Sequence, residues 1–436
     1  MVKIKIHRGT SQIGGTITEI YTENTHIFID FGSQLNVDPE ESTDNDMIYM
    51  IKHAECDAVL FSHYHGDHVG LLENIPKEDI RGRKIRLCMG LEARKVMIRI
   101  YRQLIKDNRE SPKNIMARKK INDILCDRAL WDNYSNKMTM MVGDFEITPI
   151  RVDHSAYDAY MFVIEAEGKR IVHTGDFRTH GRLGSRVFDD VKEVLVEKKT
   201  DILITEGTMM ERISEKVRTE EELEKDILKE ISKPENKYAF VLCSSTNMES
   251  LASFDRAAYA LGRPFIMNSY VYSQIKGFRS AAGISDDRFN FKASHDFRPV
   301  EQKCIPYRGK MMTQTEYMRE KGFIMLIGTS DAYKKRMEIF REQDPLLIYS
   351  MWSGYIDSKR DTYIPAYGNL VKEWRCNTEL HTSGHATVDD IENMIRIVKP
   401  ESGIIPVHTT RKEMFKRLNI DEVNVIEMND GEEVIV

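Results

Sequence analysis

Between Phe61 and Gly70 the chain reads Phe-Ser-His-Tyr-His-Gly-Asp-His-Val-Gly, and no other ten residues limit its fold as tightly. The run follows Ala58-Val59-Leu60, an apolar stretch that predicts a buried strand, so the polar cluster sits on the loop leaving that strand's C-terminal end. His63, His65, Asp67 and His68 put three imidazoles and a carboxylate within six residues. That is too many ionisable groups for a core and too ordered a set for a solvated face. Imidazole and carboxylate without thiolate suit zinc, or manganese or iron, rather than a cysteine-built structural site. The spacing serves two ions: His63 and His65 can hold one, while Asp67 and His68 turn to a second.

At 436 residues the chain is long for one domain, and two lobes are expected. A hydrophobic content of 41% permits a full core. No apolar stretch approaches the roughly 18 residues that a membrane span needs, so no membrane partner is expected. Met1 to Ile6 runs straight into strand-like alternation without signal-peptide architecture. Six scattered cysteines (Cys56, Cys88, Cys126, Cys243, Cys304, Cys376) form no Cys-x-x-Cys pair, which fits a reducing compartment and a cytoplasmic protein. A formal charge of −6 argues against a surface coated with basic groups, but local fields in a groove matter more than the total. The stretch Arg81 to Lys120 runs against the mean, with fourteen Lys and Arg against Glu92, Asp107 and Glu110. Leu91 to Ile105 within it has helical periodicity. The stretch reads either as a solvated helix face or as a phosphate-contacting surface.

The His-x-His-x-Asp-His run resembles the signature of the metallo-β-lactamase superfamily. The resemblance implies three further ligands at later strand ends, and candidates stand in order: His154 after Ile150, Asp176 closing Ile171-Val172-His173-Thr174-Gly175-Asp176, and His408 after Gly403-Ile404-Ile405-Pro406-Val407. It assigns His63, His65 and His154 to one ion and Asp67, His68 and His408 to the other, with Asp176 bridging. The expected cofactors are thus two Zn2+, with Mn2+ as the alternative. Asp30, ending Ile27-Phe28-Ile29-Asp30, matches the first acidic motif position and is expected to orient the site.

His408 lies about 230 residues beyond Asp176, far more than such a domain needs, so a lobe is inserted. The apolar runs Tyr238–Cys243, Arg263–Met267, Gly322–Ile327 and Pro345–Tyr349, with helical stretches between them, predict a parallel α/β sheet. An insert at this point resembles the β-CASP branch of nucleic-acid-processing nucleases, which includes the ribonuclease J family. Glu206, His385 and His408 match the three extra motifs of that branch. The expected fold is α/β: a metallo-β-lactamase αββα sandwich from residues 1–206 and 377–436, with a β-CASP lobe from 207–376. A histidine at the third motif is typical of RNA-acting members. No C-terminal domain like that of ribonuclease J follows, and Thr409-Thr410 stands where that family has Gly-Glu. A compact relative is implied.

The resemblance implies hydrolysis of RNA phosphodiester bonds, endonucleolytic or from the 5′ end. The ions acidify a shared water, the hydroxide attacks phosphorus in line, and His385, oriented by Glu206, protonates the leaving oxygen. Asp67 is expected to serve both metal and catalysis. Phosphate contacts are expected at Ser244, Ser245, Ser353, Ser383 and Gly384, in loops before helix starts. Single-stranded RNA is the expected partner, with DNA and a small-molecule substrate as alternatives. A homodimer is compatible with the sequence. His173 reads as a strand-face residue, His180 as an outer neighbour of the site and Asp158 as a turn carboxylate.

Overall fold

The computed structural model describes residues 1–35, 37, 40–107, 112–196, 198–213, 215–282, 291–296, 304–420 and 424–436. Arg109 and Glu110 of the basic stretch lie outside the described residues. The chain divides into two compact units, Met1–Lys216 with Gly384–Val436, and Val217–Ser383.

The first unit holds two sheets. One runs in the order Glu433–Ile435, Lys3–Arg8, Ile17–Tyr21, His26–Ile29, Ala58–Leu60, Arg86–Met89, Trp131–Asn133. The other runs Gly403–Val407, Ile202–Glu206, Lys169–His173, Ala159–Ala166, Phe145–Val152, Met140–Val142. Strict alternation decides how the sheets pack. Ile27, Ile29, Ala58, Leu60 and Cys88 face a core shared with Ile171, Ile202, Ile204 and Ile405 of the second sheet. Their neighbours point the other way. Phe28, Val59 and Leu87 meet the helix Leu91–Asp107, and Val172, Leu203 and Ile404 meet the helices Val187–Leu195 and Val388–Val398. The layers are helix, sheet, sheet, helix, the αββα sandwich expected.

Parallel pairing within each sheet collects the strand ends that carry the candidate ligands. His26–Ile29 pairs with Ala58–Leu60, which pairs with Arg86–Met89, and Lys169–His173 pairs with Ile202–Glu206, which pairs with Gly403–Val407. Parallel neighbours end on the same sheet edge, so the loops after Ile29, Leu60, His173, Glu206 and Val407 gather at two adjacent rims.

The second unit is built on a wholly parallel six-stranded sheet ordered Ser294–Asp296, Phe265–Met267, Phe323–Leu326, Tyr238–Leu242, Leu346–Tyr349, Cys376–Asn377. Thr219 and Glu222 form the capping box at the start of the helix Glu220–Ile231. The boundaries differ from 206 and 377. Residues 207–216 stay with the first unit, where Thr208 bonds His408, and Cys376–Asn377 stays with the second, because it pairs with Leu346–Tyr349. No described helix is long and apolar enough to cross a membrane.

Candidate metal centre

The loops at these rims are bent by the backbone as well as by side chains. Asp30 and His408 follow their strands with φ of 62° and 51°, left-handed values that cost non-glycine residues energy and concentrate at functional sites. His65 precedes the single turn Gly66–Val69, which carries Asp67 and His68. The Asp67 carbonyl accepts from Thr16 N–H at 3.3 Å. A Cβ on Gly32 would lie 1.8 Å from that carbonyl oxygen, and one on Gly14 would lie 2.8 Å from the Asp67 side chain. Asp67 is therefore seated on bare glycine backbone.

His63 Nε2 and His154 Nε2 lie 3.1 and 3.2 Å from His65 Nδ1. Imidazole nitrogens at the corners of a tetrahedron with metal bonds of about 2.0–2.1 Å are about 3.3 Å apart, so this trio has the edge length of one coordination shell. Asp67, His68 and His408 form a second group, with His408 Nε2 3.3 Å and His68 Nε2 3.9 Å from Asp67 Oδ2. Asp176 lies among both. Its Oδ2 is 3.2 Å from His68 Nε2, 3.6 Å from His385 Nδ1, 3.7 Å from His408 Nε2 and 3.9 Å from His63 Nε2.

The rings of His63, His68, His154 and His408 each have a partner that fixes which nitrogen faces inward, the arrangement by which outer groups orient metal ligands. Asp30 Oδ2 accepts from His68 Nδ1 at 2.7 Å, and the Asp30 carboxylate also accepts Ser62 N–H and Ser62 Oγ–H at 2.7 Å each. Ser62 Oγ is in turn 3.0 Å from His63 Nδ1. The Gly384 carbonyl accepts from His154 Nδ1 at 2.6 Å, and Thr208 Oγ1 is 2.8 Å from His408 Nδ1. Glu206 ties two loops together, since Oε1 accepts Phe177 N–H at 2.9 Å and Oε2 lies 3.0 Å from His385 Nδ1. The His385 side chain is 23% exposed, against 2% for His68, His408 and Asp176.

The two groups differ electrostatically. Burial, reinforced by neighbouring imidazoles, holds His63 and His154 well below the ordinary histidine value, and burial lowers His65 to about 4. These three rings are neutral at pH 7, with lone pairs available. For His68 burial opposes the charge, but Asp176, Asp30 and Asp67 outweigh it and raise its pKa well above the ordinary value. His408 is raised too, against burial, by Asp176 and Asp67. Burial likewise opposes ionisation of Asp67 and Asp176, yet the surrounding imidazoles hold both carboxyls well below the usual range. Protons on His68 and His408 thus supply positive charge that the buried carboxylates demand. His68 Nε2 and Asp176 Oδ2, 3.2 Å apart, are buried and meet no well-aligned hydrogen-bond partner among the described residues. Such atoms are costly unless something binds them, and with a donor set of nitrogen and oxygen they fit divalent cations.

The remaining candidates fall elsewhere. Ser244 and Ser245 follow the strand Tyr238–Leu242, and Ser353 opens a turn after Leu346–Tyr349; these strands are parallel neighbours, so both loops leave one edge of the second unit's sheet. The N-cap of the helix Met248–Ala260 is Asn247, not either serine. Ser383 ends the second unit, and Gly384 opens the return of the first. His173 Nδ1 accepts from Gly175 N–H at 3.1 Å, and His180 Nδ1 faces Asp390 at 4.0 Å. Asp158 Oδ2 caps the helix Leu91–Asp107, accepting from the backbone of Glu92 and Ala93. Ser62, Thr208, Gly14 and Gly32 carry no role in the sequence reading. Ser62 and Thr208 stood beside motif residues, but only their contacts distinguish them from ordinary loop polar residues.

Residues 50–216 match the family described as Beta-lactamase superfamily domain, and residues 375–424 match Zn-dependent metallo-hydrolase RNA specificity domain. The chain is 23% identical to Ribonuclease J of Mycoplasma pneumoniae over 442 residues, covering 96% of this chain and 69% of that protein. Its fold is similar to that of a protein of unknown function from Enterococcus faecalis V583, with a TM-score of 0.68, 18% identity and full coverage of both chains.

Proposed function

Because the chain belongs to the metallo-β-lactamase superfamily, in its β-CASP, ribonuclease J-like branch, we propose that it is a metal-dependent hydrolase that cleaves phosphodiester bonds of RNA. The observation that carries this reading is the buried Asp176 Oδ2, ringed by four imidazole nitrogens within 3.9 Å and meeting no well-aligned hydrogen-bond donor among the described residues. His63, His65 and His154 would hold one Zn2+, and Asp67, His68 and His408 a second, with Asp176 shared; Mn2+ is the alternative ion. Bound there, the cations supply Lewis acidity toward a phosphoryl oxygen and a lowered pKa for water.

The chain's own groups do the rest. Asp30 and Ser62 keep the inward nitrogens of His68 and His63 aimed, and the Gly384 carbonyl does the same for His154. Glu206 holds the His385 ring through Nδ1, and Nε2 is the nitrogen proposed to deliver a proton to the leaving oxygen. The greater exposure of His385 suits a group that meets substrate rather than one that only holds an ion. Ser244, Ser245, Ser353, Ser383 and Gly384 are proposed phosphate contacts, and single-stranded RNA the preferred partner. A cytoplasmic location suits the free thiols.

The test is cleavage of end-labelled single- and double-stranded RNA and DNA, with chelator and with added zinc or manganese. Chelator-sensitive RNA cleavage restored by metal is expected. DNA-only cleavage, or none on any nucleic acid with metal present, overturns the reading. Product lengths from the same gel separate endonucleolytic from 5′-exonucleolytic action.

A further inference from the structure

Away from the metal centre, one buried arginine of the first unit is incompletely satisfied among the described residues. Arg94, in the first turn of the helix Leu91–Asp107, is 6% exposed, and its Nε and Nη1 meet no hydrogen-bond acceptor among the described residues. Its guanidinium lies 5.6 Å from the centre of the Trp131 ring. A ring face gives a cation only part of what a carboxylate or water gives it. Burial, and after it the charge of Arg128, holds Arg94 below its ordinary pKa. The Cys126 thiol neighbours Arg94 as well, and it accepts from Arg102 Nη2 at 3.6 Å. Arg94 thus lies on Trp131, Arg128 stands three residues before that indole, and Arg102 meets the Cys126 thiol at the end of the helix Pro112–Cys126.

The surroundings extend the same sign of charge. Trp131 also lines a groove of about 310 Å3 with Lys84 and Arg86 on its walls. Arg86 is paired with Asp132 at 2.8 Å, whereas Lys84 is exposed. A buried guanidinium with two nitrogens lacking an acceptor among the described residues, an exposed arginine three residues before the indole beneath it, and a groove that shares this indole without being lined by Arg94 together point to an oxyanion site. Guanidinium forks match the geometry of phosphate oxygens.

We propose that Arg94, with Arg102 and Arg128, binds a phosphate-class oxyanion beside Trp131, supplied by a backbone phosphodiester of bound RNA or by free inorganic phosphate. The basic groove that continues from Trp131 favours the backbone, and that source rests on the ribonuclease reading; the anion site does not. It uses none of the residues of the metal centre.

The test compares thermal unfolding of the metal-loaded full chain in chloride and in inorganic phosphate at equal ionic strength. Phosphate bound at the metal centre contributes equally to all variants, so the difference between variants isolates the new site. Wild type should gain about 2–4 °C more than Arg94→Met at phosphate roughly tenfold above half-saturation. Arg128→Ala, exposed and harmless to the fold, should gain an intermediate amount. A 2′-O-methyl oligoribonucleotide that saturates at a tenth or less of the phosphate concentration, and loses that advantage in Arg94→Met, identifies the backbone as the source. Equal responses to oligomer and phosphate identify free phosphate. If Arg94→Met keeps the wild-type phosphate gain, the proposal is overturned and Arg94 is only a cation packed on Trp131. Should that variant not fold, an unchanged phosphate gain in Arg128→Ala overturns it. Loss of RNA cleavage with the phosphate difference intact would count against the ribonuclease reading alone.

Discussion

His385 differs from its neighbours by pairing with Glu206 rather than with an orienting group of the ligand rings, and by its exposure. As the proposed proton donor, His385 should be dispensable for metal but not for turnover. His385→Ala should keep both ions, measured by elemental analysis, while losing roughly 10²–10⁴ in rate. The loss should shrink on a substrate whose bridging leaving oxygen is replaced by sulfur, which departs without protonation. Near wild-type cleavage of the oxygen substrate, or loss of metal, would reject the role. His68→Ala should lose metal and activity together. A second prediction comes from the opposite pKa shifts. His63, His65 and His154, all lowered, are neutral at pH 7 and release no proton on binding an ion. His68 and His408, both raised, remain protonated as pH rises past the ordinary histidine value, so the second ion must displace protons, and its affinity should climb with pH until the raised pKa is passed. Calorimetric metal titration in buffers of different ionisation enthalpy should show proton release for one ion and nearly none for the other. At this scale the candidate ligand types were already legible, because a four-residue cluster on a strand end is local. Ser62 and Thr208 were not legible, since a hydroxyl becomes an orienting group only when folding brings an imidazole to it.

At the scale of elements, the turn Gly66–Val69 depends on a loop that has no room for a side chain. Gly32→Ala would drive a Cβ into the Asp67 carbonyl, and that neighbour is backbone, which cannot rotate away. A destabilisation of about 1–3 kcal/mol is expected in denaturant unfolding, with selective loss of the ion proposed at Asp67, His68 and His408. An unfolding midpoint and metal content like those of wild type would show that the turn yields. Strands and helices themselves were readable from apolar runs and capping pairs such as Thr219 with Glu222. The role of Asp158 as the cap of a helix that begins more than sixty residues earlier was not, because its partners lie on a different segment of chain.

For the whole molecule, the first sheet contributes His63, His65, Asp67 and His68, and the second contributes His154, Asp176 and His408. Cations shared between them would bind the folded state only, so chelation should lower the melting temperature. The fall should be about 5 °C or more for ions present at roughly a hundred times their dissociation constants, reversed by zinc. An unchanged melting curve after verified metal removal would contradict a shared site. Truncation after Ser383 removes the edge strands Gly403–Val407 and Glu433–Ile435 from both sheets, and the remaining chain should fail to give a cooperative transition. A soluble fragment with native-like unfolding would refute that dependence.

What the sequence determined alone is the chemistry on offer and the local geometry that presents it. Hydrophobic period two marks the strands, and residues placed just after a strand must lie at a sheet edge. The family resemblance then ordered the distant candidates. Only the tertiary structure decided which of them meet. Parallel pairing brings Glu206 beside Val407 at adjacent strand ends, although about 200 residues separate them in the chain. It also decided that Gly384, expected as a phosphate contact, directs its carbonyl to His154, and that Arg94 is buried with Nε and Nη1 meeting no acceptor among the described residues. The physical reason is the same in each case. Burial and partnership are properties of pairs of segments, and strand pairing between remote segments is set by the packing of the whole core rather than by any window of sequence.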